Sequence, residues 1–458
     1  MTLKLDYSNM MIAPGGIDQK IWSEAPSQFA GAKRGFDSLS SGGTVGFVDL
    51  PRNATLLDQA TSFAAQSRGK HDDVVILGIG GSALGPIALR TALRPSGWNM
   101  LDEKAREGYP RLHVLDNVDP ETIAALLGRL KLSRTLFIVT SKSGGTAETM
   151  AQFLIVYDRL VAEKLDVTKQ MVFVTDPKQG ALRPLADRLK VPALDIPANI
   201  GGRFSVLTPV GTLPAALIGI DVKALLAGAG EMAQRCASNE LASNPAGVYA
   251  TLQWLADTKL RKTLAVFMPY SDPLRDFAAW FVQLWAESLG KKRSDGTSVG
   301  STPLAALGAT DQHAQVQLFM EGPADKTVTF VAVRDRATDV QIPPAFSDVK
   351  ELGYLAGHSL AELIDIEQRA TAGALARRGR PNMTIHLDRV DAAHVGQMMM
   401  FLEIATAYAG QLYDIDAFNQ PGVELGKQFA YALLGRPGAD DAKKEWDLLP
   451  RSDPRWSV

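Results

Sequence analysis

Residues 74–86 read VVILGIGGSALGP. A continuous apolar run that stops at glycines and passes into a helical pattern marks a strand covered on both faces, then a tight turn into a helix. Runs of the same kind stand at Thr135–Val139 (TLFIV) and Met171–Val174 (MVFV). The second half repeats them at Leu264–Met268 (LAVFM), Val328–Val333 (VTFVAV) and Met383–Ile385 (MTI). Helical patterns separate the runs. The clearest spans Ala147 to Lys164, where Met150, Phe153, Leu154, Tyr157, Leu160 and Val161 recur at helical spacing and predict one buried face. Such alternation predicts parallel sheets sandwiched between helices. The two halves have similar strand content, so two α/β domains are expected, over residues 70–235 and 236–435. An N-terminal lead-in (1–69), irregular apart from a helical pattern near Asn53–Gln66, precedes them, and a C-terminal arm (436–458) follows. The Met-rich stretch Asp391–Gly410 reads as a packed helix.

Composition removes several function classes. Of 458 residues, 46% are hydrophobic and 21% charged, so enough apolar surface exists to offset the entropy of ordering. Lys and Arg total 48 against 50 Asp and Glu, a net charge of −2, which gives no global pull toward nucleic acid or anionic lipid. The single cysteine, Cys236, excludes a disulfide framework and cysteine-cluster metal sites. No histidine pair has metal-ligand spacing such as H-E-x-x-H. The opening MTLKLDYSNM lacks the apolar stretch of a signal peptide, and no run approaches the roughly 18 apolar residues of a spanning helix. A cytosolic globular protein is expected.

Four loops and one helix carry the chemistry. In the first loop, Gly78, Gly80 and Ala83 satisfy the G-x-G-x-x-G/A dinucleotide pattern, with Asp102 and Glu103 at a suitable distance. A plain strand-to-helix turn would also need these glycines. Gly81 and Ser82 at a helix start favour binding of an anion, because backbone N–H groups, a hydroxyl and the helix dipole meet there. The second loop, TSKSGGTAET (140–149), offers Ser141, Ser143 and Thr146 as hydroxyls and Lys142 as a charge, at the start of a long helix. Thr146 and Glu148 also suit a capped helix, but capping does not explain the S-K-S-G-G before them. Two hydroxyl-rich loops suit one phosphomonoester better than a dinucleotide, and the P-loop pattern G-x-x-x-x-G-K-[ST] is absent. The third loop, NIGGRFSVLTPVG (199–211), aims Arg203 from behind the Gly201–Gly202 turn.

The helix expected over Asp276–Leu289 buries Phe277, Trp280, Phe281, Leu284 and Trp285, and places Gln283 and Glu287 together at i,i+4. Glu287 falls in the last turn, where a carboxylate opposes the helix dipole. Lys291, Lys292 and Arg293 could screen it, which makes it an ordinary surface charge. An acid in so unfavourable a place is equally what a general base looks like. His313, in GATDQHAQVQLF (308–319), is expected in the first turn of a helix capped by Thr310 or Asp311, and alone reads as structural. In the fourth loop, FNQPGVELGKQFA (418–430), Lys427 lies early in a helix starting near Gly422, where pairing with Glu424 would explain it.

Taken in order, GIGGSALGP, SKSGGTAET, NIGGRFS, QLWAESLGK, GATDQHAQVQLF and FNQPGVELGK resemble the phosphoglucose isomerase family, from about residue 70 to 435. The resemblance implies two SIS-type (sugar isomerase) α/β/α sandwich domains with mainly parallel sheets. It also implies a cytoplasmic homodimer and interconversion of glucose 6-phosphate and fructose 6-phosphate without metal or cofactor. Carried over by motif, Gly81, Ser82, Ser141, Lys142, Ser143 and Thr146 would hold the phosphate. Gly202, Gln283 and Gln420 would belong to the substrate site, Glu287 would be the base and Arg203 would steady the intermediate. His313, supplied across the dimer interface, and Lys427 would serve ring opening. One departure is Gly145, where the family usually has Thr. Two rivals make different predictions. A non-catalytic sugar-phosphate sensor would keep the phosphate loops but not need Glu287, His313 and Lys427, and a nicotinamide-dependent oxidoreductase would bind NAD(P) at GIGGSA.

Overall fold

The computed structural model describes residues 3–450 and 452–458; Met1 and Thr2 of the expected lead-in and Arg451 of the expected arm lie outside the described residues. Its strands in the first half are β1 (Lys4–Asp6), β2 (Asp73–Leu77), β3 (Arg111–Leu115), β4 (Thr135–Thr140), β5 (Met171–Thr175) and β6 (Ala193–Asp195). In the second half they are β7 (Leu264–Pro269), β8 (Lys291–Lys292), β9 (Ser298–Val299), β10 (Thr302–Ala305), β11 (Lys326–Val333) and β12 (Asn382–Leu387). One sheet is wholly parallel in the order β3-β2-β4-β5-β6. A second runs β1-β12-β11-β7-β10, parallel except for the antiparallel edge strand β1, and β8 and β9 form a small antiparallel pair.

Every residue of β2, β4 and β5 is buried, as the apolar runs predicted. Their side chains alternate between two cores: Val74 and Ile76 join one apolar cluster, while Val75 and Leu77 join another. That division is what helices on both faces of a sheet produce. The second sheet divides likewise, with Val331 and Val333 on one side and Val328 and Phe330 on the other.

The Met-rich stretch is a 22-residue helix, Ala392–Tyr413, with Met398, Met399 and Met400 fully buried. It packs against the helices Gln19–Ser41, Val222–Arg235, Pro245–Leu260 and Arg275–Leu289 and so joins both halves of the molecule.

Several expectations need correction. The lead-in is not irregular: it contributes β1 to the second sheet and a 23-residue helix, Gln19–Ser41. Asp18 caps that helix through Ile21 N, and Phe29 and Phe36 each set a ring edge-on to Tyr408 at 5.3 Å. Pro26, Gly31 and Gly35 interrupt its apolar pattern, so tertiary packing outweighs weak propensity. On the helix Ala147–Ala162, Leu154 is 61% exposed and Val161 51% exposed, so the buried face is narrower than predicted and centres on Phe153, Val156 and Leu160.

Candidate functional site

The strand order creates the site. Connections leave β2 toward β3 on one side and β4 toward β5 on the other, which makes the C-terminal ends of β2 and β4 the topological switch point of this sheet. Ligands of open α/β sheets bind at such a switch point. The turn Gly80–Ser82 follows β2, and the hydroxyl loop follows β4.

In the hydroxyl loop, Ser141 Oγ lies 3.0 Å from Thr146 Oγ1, and Ser143 Oγ lies 3.4 Å from the same atom. Thr146 occupies the N-cap position of the helix Ala147–Ala162, yet its side chain makes no capping hydrogen bond. Capping therefore does not account for Thr146. Three hydroxyls converge at the positive end of a 16-residue helix, an arrangement suited to a phosphate. Lys142 is placed otherwise. Its ammonium donates to the Ala198 and Ile200 carbonyls at 2.7 and 2.8 Å, which leaves one of its three donors uncommitted and ties this loop to the segment before Arg203.

The two glycine turns touch. A β-carbon on Gly81 would sit 2.3 Å from the Gly202 carbonyl oxygen, so only glycine allows this approach, which brings Gly81 and Ser82 beside Gly202 and Arg203. A β-carbon on Gly80 would lie 2.9 Å from Gln283 Nε2, so the Gln283 amide borders the same turn.

The helix Arg275–Leu289 brings Gln283 and Glu287 together as their spacing predicted: Gln283 Nε2 donates to Glu287 Oε2 at 3.2 Å. Arg203 is buried and lies 4.0 Å from that oxygen. Its guanidinium donates to Ser288 Oγ at 2.7 Å, Gln420 Oε1 at 3.0 Å and the Asn419 carbonyl at 2.8 Å, and also to the Ala417 carbonyl. Burying an unpaired guanidinium would be prohibitive, and these acceptors compensate it. Burial lowers its proton affinity, while Glu287 and Asp416 oppose that shift. Phe204 packs on Phe47 and Phe418 behind it, with ring centroids 4.9 and 5.2 Å apart.

Two candidates stand apart. His313 is exposed on the short 3-10 turn Thr310–His313, not in the first turn of an α-helix. The α-helix that follows begins only at Val316, and Asp311, one of the expected caps, accepts from Leu307 N at 2.7 Å instead. Among the described residues His313 bonds to none of the groups above. Lys427 is exposed and pairs with Glu424 at 2.8 Å, on a helix that begins at Glu424 after the 3-10 turn Pro421–Val423. That helix approaches the hydroxyl loop, since Tyr431 Oη lies 3.5 Å from the Gly145 carbonyl.

The dinucleotide alternative loses its acidic partner. Asp102 and Glu103 precede β3 and belong to a turn closed by Asp102 Oδ1 on Ala105 N, whereas a ribose-binding acid belongs at the far end of that strand. Among the described residues, no group of three or more His, Cys, Asp or Glu is placed to hold a metal ion. No described helix is long and apolar enough to cross a membrane.

Sequence reasoning missed Ser288, the Arg203 acceptor, although it lies within the Glu287 motif. It also missed the carbonyls of Ala417 and Asn419, for which side-chain identity carries no signal. Lys291 appeared only as a screening charge.

The chain matches the model of the family described as phosphoglucose isomerase over residues 58–449. It is 43% identical over 466 residues to a glucose-6-phosphate isomerase of Carboxydothermus hydrogenoformans, covering 100% of this chain and 99% of that one. A hypothetical protein of Thermus thermophilus superposes with a TM-score of 0.84 at 37% identity, covering 94% of this chain and 100% of that one. A glucose-6-phosphate isomerase of Chlamydia trachomatis shares the fold, with a TM-score of 0.81 at 20% identity over 98% of this chain and 92% of that one. The two helix-covered, mainly parallel sheets are thus SIS-type α/β/α sandwiches, and the chain belongs to the phosphoglucose isomerase family.

Proposed function

We propose that this protein interconverts glucose 6-phosphate and fructose 6-phosphate through a cis-enediolate, as a cytoplasmic homodimer serving glycolysis and gluconeogenesis. The observation that carries the reading is the contact of Glu287 with Gln283 and Arg203, together with a hydroxyl cluster at a helix N-terminus whose loop is bonded through Lys142 to the segment before Arg203. The names of relatives such as the Carboxydothermus isomerase support it.

The phosphate would sit on Ser141, Ser143 and Thr146 at the end of the helix Ala147–Ala162, with Gly81 and Ser82 on its other side. This anchoring sets the sugar toward Glu287. A hexose phosphate arrives mainly as a closed ring, so one group must protonate the ring oxygen while another takes the anomeric proton. Lys427 and the His313 of a second subunit fill these roles. Exposure of His313 on its turn suits donation across an interface.

Glu287 then removes the proton from C2 and returns it to C1 on the same face, as a single carboxylate can. The enediolate between these steps is anionic. Arg203 is held rigidly by four acceptors, and its fixed charge stabilises that anion without reorganising. Gln283 restrains the Glu287 carboxylate, and Gln420, bonded to Arg203, borders the sugar.

A coupled assay for glucose 6-phosphate formation from fructose 6-phosphate tests the activity. The assignment of the base is tested by Glu287→Gln, which should bind a sugar-phosphate inhibitor normally but lose about 100- to 10,000-fold in kcat, the usual worth of a general base. Solvent-hydrogen exchange at C2 continuing at the wild-type rate in that variant would overturn the assignment.

A further inference from the structure

Glu287 occupies the last full turn of its helix, where the final carbonyls have no intrahelical partners. The polypeptide returns immediately through Gly290 to Lys291. The Lys291 ammonium donates to the Glu287 carbonyl at 2.9 Å and to the Ser288 carbonyl at 2.7 Å. It thus grips the backbone of the residue assigned as base and of the residue whose hydroxyl holds Arg203.

We propose that Lys291 is a positioning residue for Glu287: its charge-assisted bonds fix the end of the helix so that the carboxylate and Arg203 keep their mutual placement. The proposal rests on the isomerase reading above. A helix end left uncapped frays, and fraying here would move Glu287 and release Ser288 from Arg203 together. A cation near the carboxylate also counters the unfavourable dipole at that end.

The surroundings give this device a pH dependence. Half-burial lowers the proton affinity of Lys291, and the nearby Arg203 lowers it further, while Asp416 and Glu287 oppose the shift; the result is about 8. Of its sequence neighbours, Lys292 is exposed and Arg293 is committed to the Tyr413 carbonyl at 2.7 Å. Loss of the proton above that value removes the charge from both bonds, and charged donors bond more strongly than neutral ones. The free enzyme therefore loses catalytic competence on the alkaline side, which kcat/KM reports.

The test measures kcat and KM from pH 6 to 9.5 for wild type, Lys291→Met and Lys291→Arg, with melting temperatures and inhibitor affinity alongside. Lys291→Met should lose about 10- to 100-fold in kcat at pH 7, with KM changing much less. Lys291→Arg, whose guanidinium stays charged, should keep most of the activity and hold kcat/KM above pH 8, where wild type declines. If Lys291→Met does not fold, the Lys291→Arg profile decides alone. Lys291→Met within twofold of wild type at all pH, or Lys291→Arg declining at the same pH as wild type, overturns the inference while leaving the isomerase reading intact. Absence of isomerase activity in the wild type overturns that reading, and this inference with it.

Discussion

Glu403 lies on the interior helix Ala392–Tyr413, fully buried, and among the described residues neither carboxyl oxygen has a hydrogen-bond partner. Met399, Met400 and Ala407, one turn away on either side, are also fully buried. With no compensating charge or donor among the described residues, burial pushes its carboxyl well above the usual range. The folded protein keeps the proton that the unfolded chain releases above about pH 4.5. The sign follows directly. Below that pH both states are protonated and Glu403 costs nothing through ionisation. As the pH rises toward the folded value, unfolding gains about 1.4 kcal/mol for each unit. For a chain of 458 residues the unfolding entropy is about 1 kcal/mol per kelvin, so each pH unit should lower the melting midpoint by about 1.4 °C.

Glu403→Gln removes the titration and keeps the shape, and Glu403→Met also removes the polar atoms. Melting curves of wild type and both variants from pH 4 to 8 should give a midpoint difference that grows with pH at that slope and is smallest at pH 4. The two variants should differ from each other by a constant offset. A wild-type–variant difference that stays flat across the range would mean that Glu403 is ionised in the fold, and the reasoning fails.

Two further outcomes follow from the site. A β-carbon at Gly145 has nothing nearer than the Ser143 carbonyl at 4.0 Å, and its φ is not positive, so Gly145→Thr should fold normally. One added hydroxyl near the phosphate should lower KM and tighten inhibitor binding by about threefold to thirtyfold, measured by titration; weaker binding would show that the phosphate sits elsewhere. Mixing Glu287→Gln with His313→Ala subunits, after dissociation and reassociation, should restore about a quarter of wild-type activity per site, because half the dimers are mixed and each has one intact site. Inactive mixtures despite proven heterodimers would exclude a shared site.

What could be read from the sequence depended on whether local pattern and tertiary role agreed. β2, β4 and β5 were legible because burial on both faces imposes an unbroken apolar run. β3 was not, since Arg111 and His113 interrupt it. Their polarity serves the fold: Arg111 Nε and His113 Nε2 reach Asp73 Oδ1 on the neighbouring strand at 2.6 and 2.9 Å. β10 was hidden by Pro303, tolerable only because that strand lies at a sheet edge. In the site, Gln283 and Glu287 were legible because i,i+4 spacing on one helix fixes their contact. The orphaned Glu403 was illegible, because a single acid within MMMFLEIATAYAG looks like a break toward solvent.

Convergence is the part that no local pattern contains. The acceptors of Arg203 lie 85 residues away at Ser288 and 217 away at Gln420, on segments whose meeting depends on the whole topology. Glycine supplies the link. Because Gly81 lets its turn press against Gly202, the turn after β2 meets the segment that carries the guanidinium, and Lys142 bonds the hydroxyl loop to the same segment. A substrate anchored on the hydroxyls, as proposed, would thereby be held relative to Glu287 by backbone contacts rather than by flexible side chains alone. Turns rich in glycine, read singly, suggested only a place for an anion. Packed against each other, they join the groups proposed to hold the phosphate to those proposed to move the proton.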